Sequence, residues 1–177
     1  MEINVADILL TEKDGSITAS HKGSSAAAKE TKRIWFDCNC PYCRRHWLDN
    51  LDSYQQAIIA DELVLVLTPV AFLTQYSVQA GSLLLDVAPY GPEIFFDVFK
   101  ALIFNGIGES KGNDEETVAN KVKDVYETVI VPDLNAVGVS AEAFKDSITE
   151  AVYDQIQRST KDAVDHGVTG VPHIETL

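Results

Sequence analysis

The sequence predicts an α/β fold, a sheet domain whose two parts are separated by an inserted run of helices. Three observations predict it. A short apolar and aromatic run, Ile34-Trp35-Phe36-Asp37, passes almost directly into Cys40-Pro41-Tyr42-Cys43 and then into a helical pattern. A second run, Leu63-Val64-Leu65-Val66-Leu67, follows that helix without polar alternation, as expected of a strand covered on both faces. Two strands flanking a helix make a βαβ unit with a right-handed crossover. From about Tyr76 to Gly138 the pattern is helical, and an extended segment runs from Val168 to Leu177.

Each element has its own signal. Ile3 to Leu10 reads as a first strand, followed by a turn at Lys13-Asp14-Gly15-Ser16. His21 to Lys32 is rich in Gly, Ser, Ala and Lys and reads as a flexible connector. Arg33 to Cys38 is the second strand. Pro41 to Ile59 is a helix, because Trp47, Leu51, Tyr54 and Ile58 recur at spacings of four, three and four. Pro69 ends the Leu63–Leu67 strand or places it near an edge.

Gln75 to Val87 and Pro92 to Asn105 read as two helices interrupted around Pro89-Tyr90-Gly91. The second is dense in Phe95, Phe96, Phe99 and Phe104, whose spacing makes them core residues before groove residues. Gly106 to Asn113 is a loop. Asp114 to Ile130 is a helix with acids at its positive end, and Pro132 breaks it or starts a new turn. Ser140 is a good N-cap for a helix to Ile148. A long helix then spans Thr149 to His166 and stops at Gly167. These boundaries predict a discontinuous sheet domain of residues 1–73 and 149–177 and a helical insertion of residues 74–148.

Composition excludes several classes. The 177 residues are 46% hydrophobic, enough for a substantial core, and carry a net charge of −13. That charge argues against nucleic acid and against anionic membrane surfaces. No stretch reaches transmembrane length. Met1-Glu2-Ile3-Asn4 lacks a basic start and a long apolar run, so no signal peptide is visible. All three cysteines, Cys38, Cys40 and Cys43, lie within six residues. No distant partner exists for a structural disulfide, so their use is local.

A cysteine pair two residues apart, where a strand becomes a helix, is the arrangement of a thiol–disulfide redox site. Proline is tolerated in a first helical turn, where its missing N–H has no partner to lose. Cys40 would then face unpaired N–H groups and the positive end of the helix dipole, which favour thiolate. Cys43, three residues on, shares that face. The bland alternative is a pair of ordinary buried cysteines.

On these residues the chain resembles the DsbA-like thiol–disulfide oxidoreductases, a thioredoxin fold with an inserted helical domain. The match rests on Trp35 to Cys43, on Leu63–Leu67 leading into Thr68 to Leu73, on the aromatic helical block, and on Gly167-Val168-Thr169-Gly170-Val171-Pro172. The resemblance implies that Cys40 is the attacking thiol and Cys43 the buried resolving thiol. Pro41 and Tyr42 would tune the potential. Val171 and Pro172 would line the site, with Pro172 in a cis bond and the Val171 backbone pairing with an extended substrate. It further implies protein or peptide thiol substrates, an unidentified redox partner, an oxidising direction and an extracytoplasmic place. The missing export signal leaves the cytoplasm open. No cofactor beyond the cysteine pair is implied.

Three departures from the family pattern stand out. The sequence stops soon after Pro172, so the C-terminal strand hairpin and last helix of the family are expected to be absent. Relatives carry a buried acid about six residues before the first cysteine, where this chain has Ile34; Asp37 is closer, and Glu30 or a water are substitutes. Cys38 is extra. It reads as a small hydrophobe in the strand, as an alternative disulfide partner, or as part of a Cys38, Cys40, Cys43 and His46 zinc set. That spacing lacks paired knuckles, and no metal is expected. Arg44, Arg45 and His46 read as solvated helix residues before redox tuners. Two rivals to the redox enzyme remain: a non-catalytic peptide-binding module of the same fold, and a glutathione-linked reductase or isomerase, against which Cys43 argues.

Overall fold

The computed structural model describes residues 3–24, 29–104, 114–147 and 150–177. In chain order the elements are β1 (Ile8–Lys13), β2 (Ser16–His21), β3 (Glu30–Phe36), α1 (Pro41–Ile59), β4 (Leu63–Pro69), α2 (Gln75–Val87), α3 (Pro92–Phe104), α4 (Glu115–Val125), α5 (Val131–Ala136), α6 (Ala141–Ser147), α7 (Glu150–Asp165) and β5 (His173–Thr176). The described strands form one mixed sheet in the order β1-β2-β4-β3-β5. Only β3 and β4 run parallel, joined by α1 as the βαβ reading requires.

The hairpin β1–β2 closes on Asp14 and Gly15, both at positive φ (52° and 78°). Two consecutive left-handed residues match the twist of a two-residue hairpin, which is why Asp-Gly suits the position. The turn is where the sequence places it, but the strand after it, Ser16–His21, is a correction to the sequence reading. The alternation of buried Ile17 and Ala19 with Thr18 and Ser20 was its signal.

Other boundaries also shift. The first strand starts at Ile8, because Val5–Asp7 forms a 3-10 turn capped by the Asn4 side chain, 3.0 Å from the Ala6 N–H. Glu30, Thr31 and Lys32 belong to β3 and not to a connector; residues 25–28 of that connector lie outside the described residues. The predicted loop at Gly106–Asn113 and the Ile148–Thr149 junction lie outside them too. β3 ends at Phe36, so Cys38 sits in the turn that follows and not in the strand. The Asp114 carboxylate caps α4 through the Thr117 N–H at 2.9 Å. Beyond α4 the chain continues as a π-helical stretch, Tyr126–Ile130, where the Val131 N–H reaches the Tyr126 carbonyl. Pro132 lacks the N–H that an unbroken α-helix would need at this point, so the ladder widens and restarts as α5.

The two sheet faces pack differently because strand side chains alternate. Ile34 and Phe36 face the cluster containing Trp47 and Leu51 of α1, while Trp35 faces Val70, Ala163 and Val168. The first cluster runs on without a break through Phe95, Phe99 and Leu102 to Val118, Ile130 and Phe144. Trp47 is its hinge, edge-on to Phe36 (5.4 Å, 84°) and to Phe99 (5.1 Å, 85°). No described helix is long and apolar enough to cross a membrane.

Gly15 gives a direct test of the hairpin. Its φ is +78°, and a Cβ there would collide with Ser159 Oγ of α7. Gly15→Ala is expected to cost about 1–2 kcal/mol from the left-handed conformation alone, before the collision is counted. Urea denaturation of the two proteins measures it, and an unchanged midpoint would show that the hairpin does not pack as described.

Candidate active site

Strand register brings the site together. Parallel pairing of β3 with β4 sets Phe36 opposite Pro69, so the segments leaving both strands emerge side by side. Antiparallel pairing of β3 with β5 sets Trp35 opposite His173. Val171 and Pro172 therefore lie beside the start of α1, and their peptide bond is cis.

Cys40 is the N-cap of α1, with φ −84° and ψ 122°, and Pro41 opens the helix. Its side chain makes no capping bond, so the sulfur is left over the free N–H groups of the first turn. The residue is only 6% exposed, and Sγ lies 3.6 Å from the Val171 carbonyl. Its thiol is pulled down to about 6. The chief cause is a hydrogen bond from Cys43. Burial opposes it, the backbone N–H groups of Cys43 and Tyr42 assist, and the Asp37 charge works against it. Cys43 is fully buried, and its thiol is pushed far up, first because it is the donor to Cys40 and then by desolvation. The Asp37 N–H also donates to Cys43 Sγ at 3.5 Å. The pair is thus divided into one sulfur that ionises readily and one that keeps its proton.

All three cysteines are free thiols. Burial, with the Asp37 charge second, raises the Cys38 thiol well above its ordinary value, so it packs as an inert hydrophobe. The His46 ring turns to the Tyr54 hydroxyl (3.2 Å) and to Trp47, and burial lowers its basicity. Arg45 pairs with Asp49 at 3.0 Å, and Arg44 is exposed. Among the described residues no group of three His, Cys, Asp or Glu side chains is placed to hold a metal ion.

A groove of about 600 Å³ opens at Cys40 between Pro41-Tyr42, Phe72-Leu73 and Val168 to Val171. Its rim is apolar yet solvent-facing: Tyr42 is 76% exposed, Leu73 51% and Val164 57%. Exposed apolar surface concentrated at one site marks a place for a partner. Of the residues expected here, Pro41, Tyr42 and Val171 line the groove, and Pro172 is not among its lining residues.

The sequence names Asp37 as a nearby acid but not the network that it anchors. Ile34 is an apolar core residue, and Glu30 is exposed beside Lys32, 3.2 Å away, so neither supplies a buried acid. Asp37 does, but both of its oxygens are tied to Asn39, Phe72, Leu73 and Ser77. The local half, an Asx turn from Asp37 to Asn39, has a sequence signal. The rest depends on tertiary placement of α2.

A family model described as thioredoxin matches residues 16–175. No curated protein matches the sequence. Among solved structures, MdbA, a thiol-disulfide oxidoreductase from Corynebacterium diphtheriae, superposes with a TM-score of 0.70 at 16% identity, covering 97% of this chain and 86% of that one. MdbA from Corynebacterium matruchotii gives 0.67 at 12% identity, covering 97% and 84%. The thiol-disulfide exchange protein alpha-DsbA2 from Wolbachia pipientis gives 0.61 at 20%, covering 90% and 75%. At these identities the likeness establishes a shared fold.

The Cys40 environment has a measurable pH signature. Alkylation of reduced protein by iodoacetamide is expected to rise through pH about 6 and then level off. A rate still climbing through about 8.5, where an ordinary thiol ionises, would contradict the assignment. Because the folded value lies below the unfolded one, the thiolate's contribution to stability is fully present above about pH 8.5 and is lost as pH falls toward 6. Cys40→Ser should remove that dependence from the reduced form's urea midpoint.

Proposed function

This chain belongs to the thioredoxin family, and from that premise we propose that it is a DsbA-type oxidase that passes its Cys40–Cys43 disulfide to protein thiols. The observation that carries the reading is the division of the pair. Cys40 is held at a helix N-terminus with its thiol at about 6, and Cys43 is buried beneath it with its proton retained. A stabilised Cys40 thiolate favours the reduced form of the protein, which makes the disulfide form an oxidant.

In the proposed cycle a substrate thiolate attacks Cys40 Sγ of the disulfide. The Cys40–Cys43 bond breaks, and its electron pair leaves on Cys43, which takes up a proton. A second substrate thiolate attacks the substrate sulfur of the mixed disulfide and releases Cys40 as thiolate. The substrate loses two electrons and gains one disulfide; the chain gains two electrons and holds two thiols. An electron acceptor outside the chain, its redox partner, must restore the disulfide.

Neighbouring residues have roles in this cycle. Pro41 has no N–H, so the first-turn donors that assist Cys40 are those of Tyr42 and Cys43, and Tyr42 sets the outer wall beside the sulfur. The apolar rim suits an unfolded or extended peptide, with the Val171–Pro172 segment alongside it. MdbA and alpha-DsbA2, by their descriptions, perform thiol–disulfide chemistry on the same fold. Net oxidation of thiols requires an oxidising compartment, so the chain is assigned outside the cytoplasm.

Oxidised protein mixed with a reduced dithiol peptide tests the reading. Wild type should convert about one equivalent of peptide to its disulfide; Cys40→Ser and Cys43→Ser, neither of which can form the Cys40–Cys43 disulfide, should convert none, and Cys43→Ser should trap a mixed disulfide through Cys40 when it is given the peptide in its disulfide form. A wild-type protein that leaves the peptide reduced would overturn the oxidase assignment.

A further inference from the structure

We propose that Asp37 is a positioning residue that locks the turn carrying Cys40 to the Phe72-Leu73 wall of the substrate groove. The inference rests on the disulfide-exchange reading above and adds to it a residue that touches neither sulfur through its carboxylate.

Asp37 is fully buried, and each of its carboxylate oxygens accepts two hydrogen bonds. Oδ1 accepts from the Asn39 N–H at 2.8 Å and from Ser77 Oγ at 2.6 Å. Oδ2 accepts from the N–H groups of Phe72 at 2.8 Å and Leu73 at 3.1 Å. Its own carbonyl accepts from the Cys40 N–H at 3.1 Å. The adjacent Asn39-Cys40 turn and, from more than thirty residues further on, the groove wall after β4 and the first turn of α2 therefore converge on this one residue. Ser77 is itself fixed there by a reciprocal capping box with Thr74.

Four convergent donors need four acceptor sites, and among side chains only a carboxylate supplies them. That explains an acid buried without a cation among its hydrogen-bond partners. It also separates this role from proton transfer, since neither oxygen bonds to Cys43 and both are already occupied. The groove wall and the sulfur it serves are thereby held at one fixed spacing. Small misplacement of reacting groups is costly, with about 1 Å enough to lose about a hundredfold in rate.

Asp37→Asn is nearly isosteric but replaces one acceptor oxygen with a donor. The Ser77 hydroxyl can rotate to accept from the new amide, whereas the Asn39 N–H cannot. The variant is therefore expected to keep the bonds to Phe72 and Leu73 and to lose the bond to the cysteine turn. Peptide substrates, which must span wall and sulfur together, should feel this; a small dithiol, which reaches only the sulfur, should not.

Oxidation of a dithiol peptide with apolar flanks is compared with oxidation of dithiothreitol, with glutathione disulfide supplied to restore the Cys40–Cys43 disulfide and the uncatalysed rate subtracted, for wild type, Asp37→Asn and Ser77→Ala. For Asp37→Asn the ratio of kcat/KM for peptide over dithiothreitol is expected to fall by about fivefold or more, with the loss in the peptide KM. Ser77→Ala, which keeps the charge and removes one bond, should lower the same ratio by a smaller factor and carries the test if Asp37→Asn does not fold. An unchanged ratio in the folded variants, or equal losses for both substrates, would overturn the positioning role. A wild-type protein that oxidises neither compound would instead overturn the parent reading.

Discussion

The position of β3 between β4 and β5 is the constraint on which the rest depends. Parallel pairing on one side and antiparallel pairing on the other are both fixed by register, Phe36 to Pro69 and Trp35 to His173. A slip of one residue would turn Ile34 and Phe36 from the α1 face to the face of Val70 and Ala163, and Trp35 the opposite way. Because the register is held by burial on both faces, the ends of three strands arrive at one edge of the sheet. The turn with Cys40, the Phe72-Leu73 segment and the Val171-Pro172 segment have no other place to go.

On that scaffold the chemistry needs few additions. Helix α1 begins where β3 ends, so its unpaired N–H groups point at the sulfur of its own N-cap residue. Cys43, one turn below, donates to that sulfur and is sealed by the same apolar packing that holds Trp47. The asymmetry between the two thiols thus follows first from the direction of that hydrogen bond and then from burial. The apolar rim around Cys40 is the counterpart of this burial. It leaves Tyr42, Leu73 and Val164 facing solvent in a chain whose other large apolar residues mostly lie inside.

Much of this was legible in the sequence, and the remainder was not for identifiable reasons. The run Ile34 to Cys43, the unalternating Leu63–Leu67 strand and the 3.6-residue spacing in α1 are local patterns, and they lead to the fold observed and to two cysteines that the structure places side by side. The strand Ser16–His21 was missed because its residues are small and weakly apolar, although Asp14-Gly15 announced a hairpin. The sequence places Cys38 in the strand, because the strand's end is set by a turn hydrogen bond, Cys40 N–H to the Asp37 carbonyl, that composition does not encode. The Asp37 network was invisible for a different reason. Its partners Phe72, Leu73 and Ser77 lie more than thirty residues away, and nothing in a single sequence links them. The family pattern, moreover, directs attention to the position of Ile34.

The proposed oxidase requires Cys40 and Cys43 to form one two-electron couple with a stabilised Cys40 thiolate. Equilibration in glutathione buffers, followed by tryptophan fluorescence and thiol trapping, tests it most directly. A single transition involving Cys40 and Cys43 is expected, with Cys38 remaining a free thiol. Its potential should lie toward about −120 mV, the DsbA-type end of the range, and away from the thioredoxin value of about −270 mV. No two-electron transition, or a disulfide that traps Cys38, would contradict it.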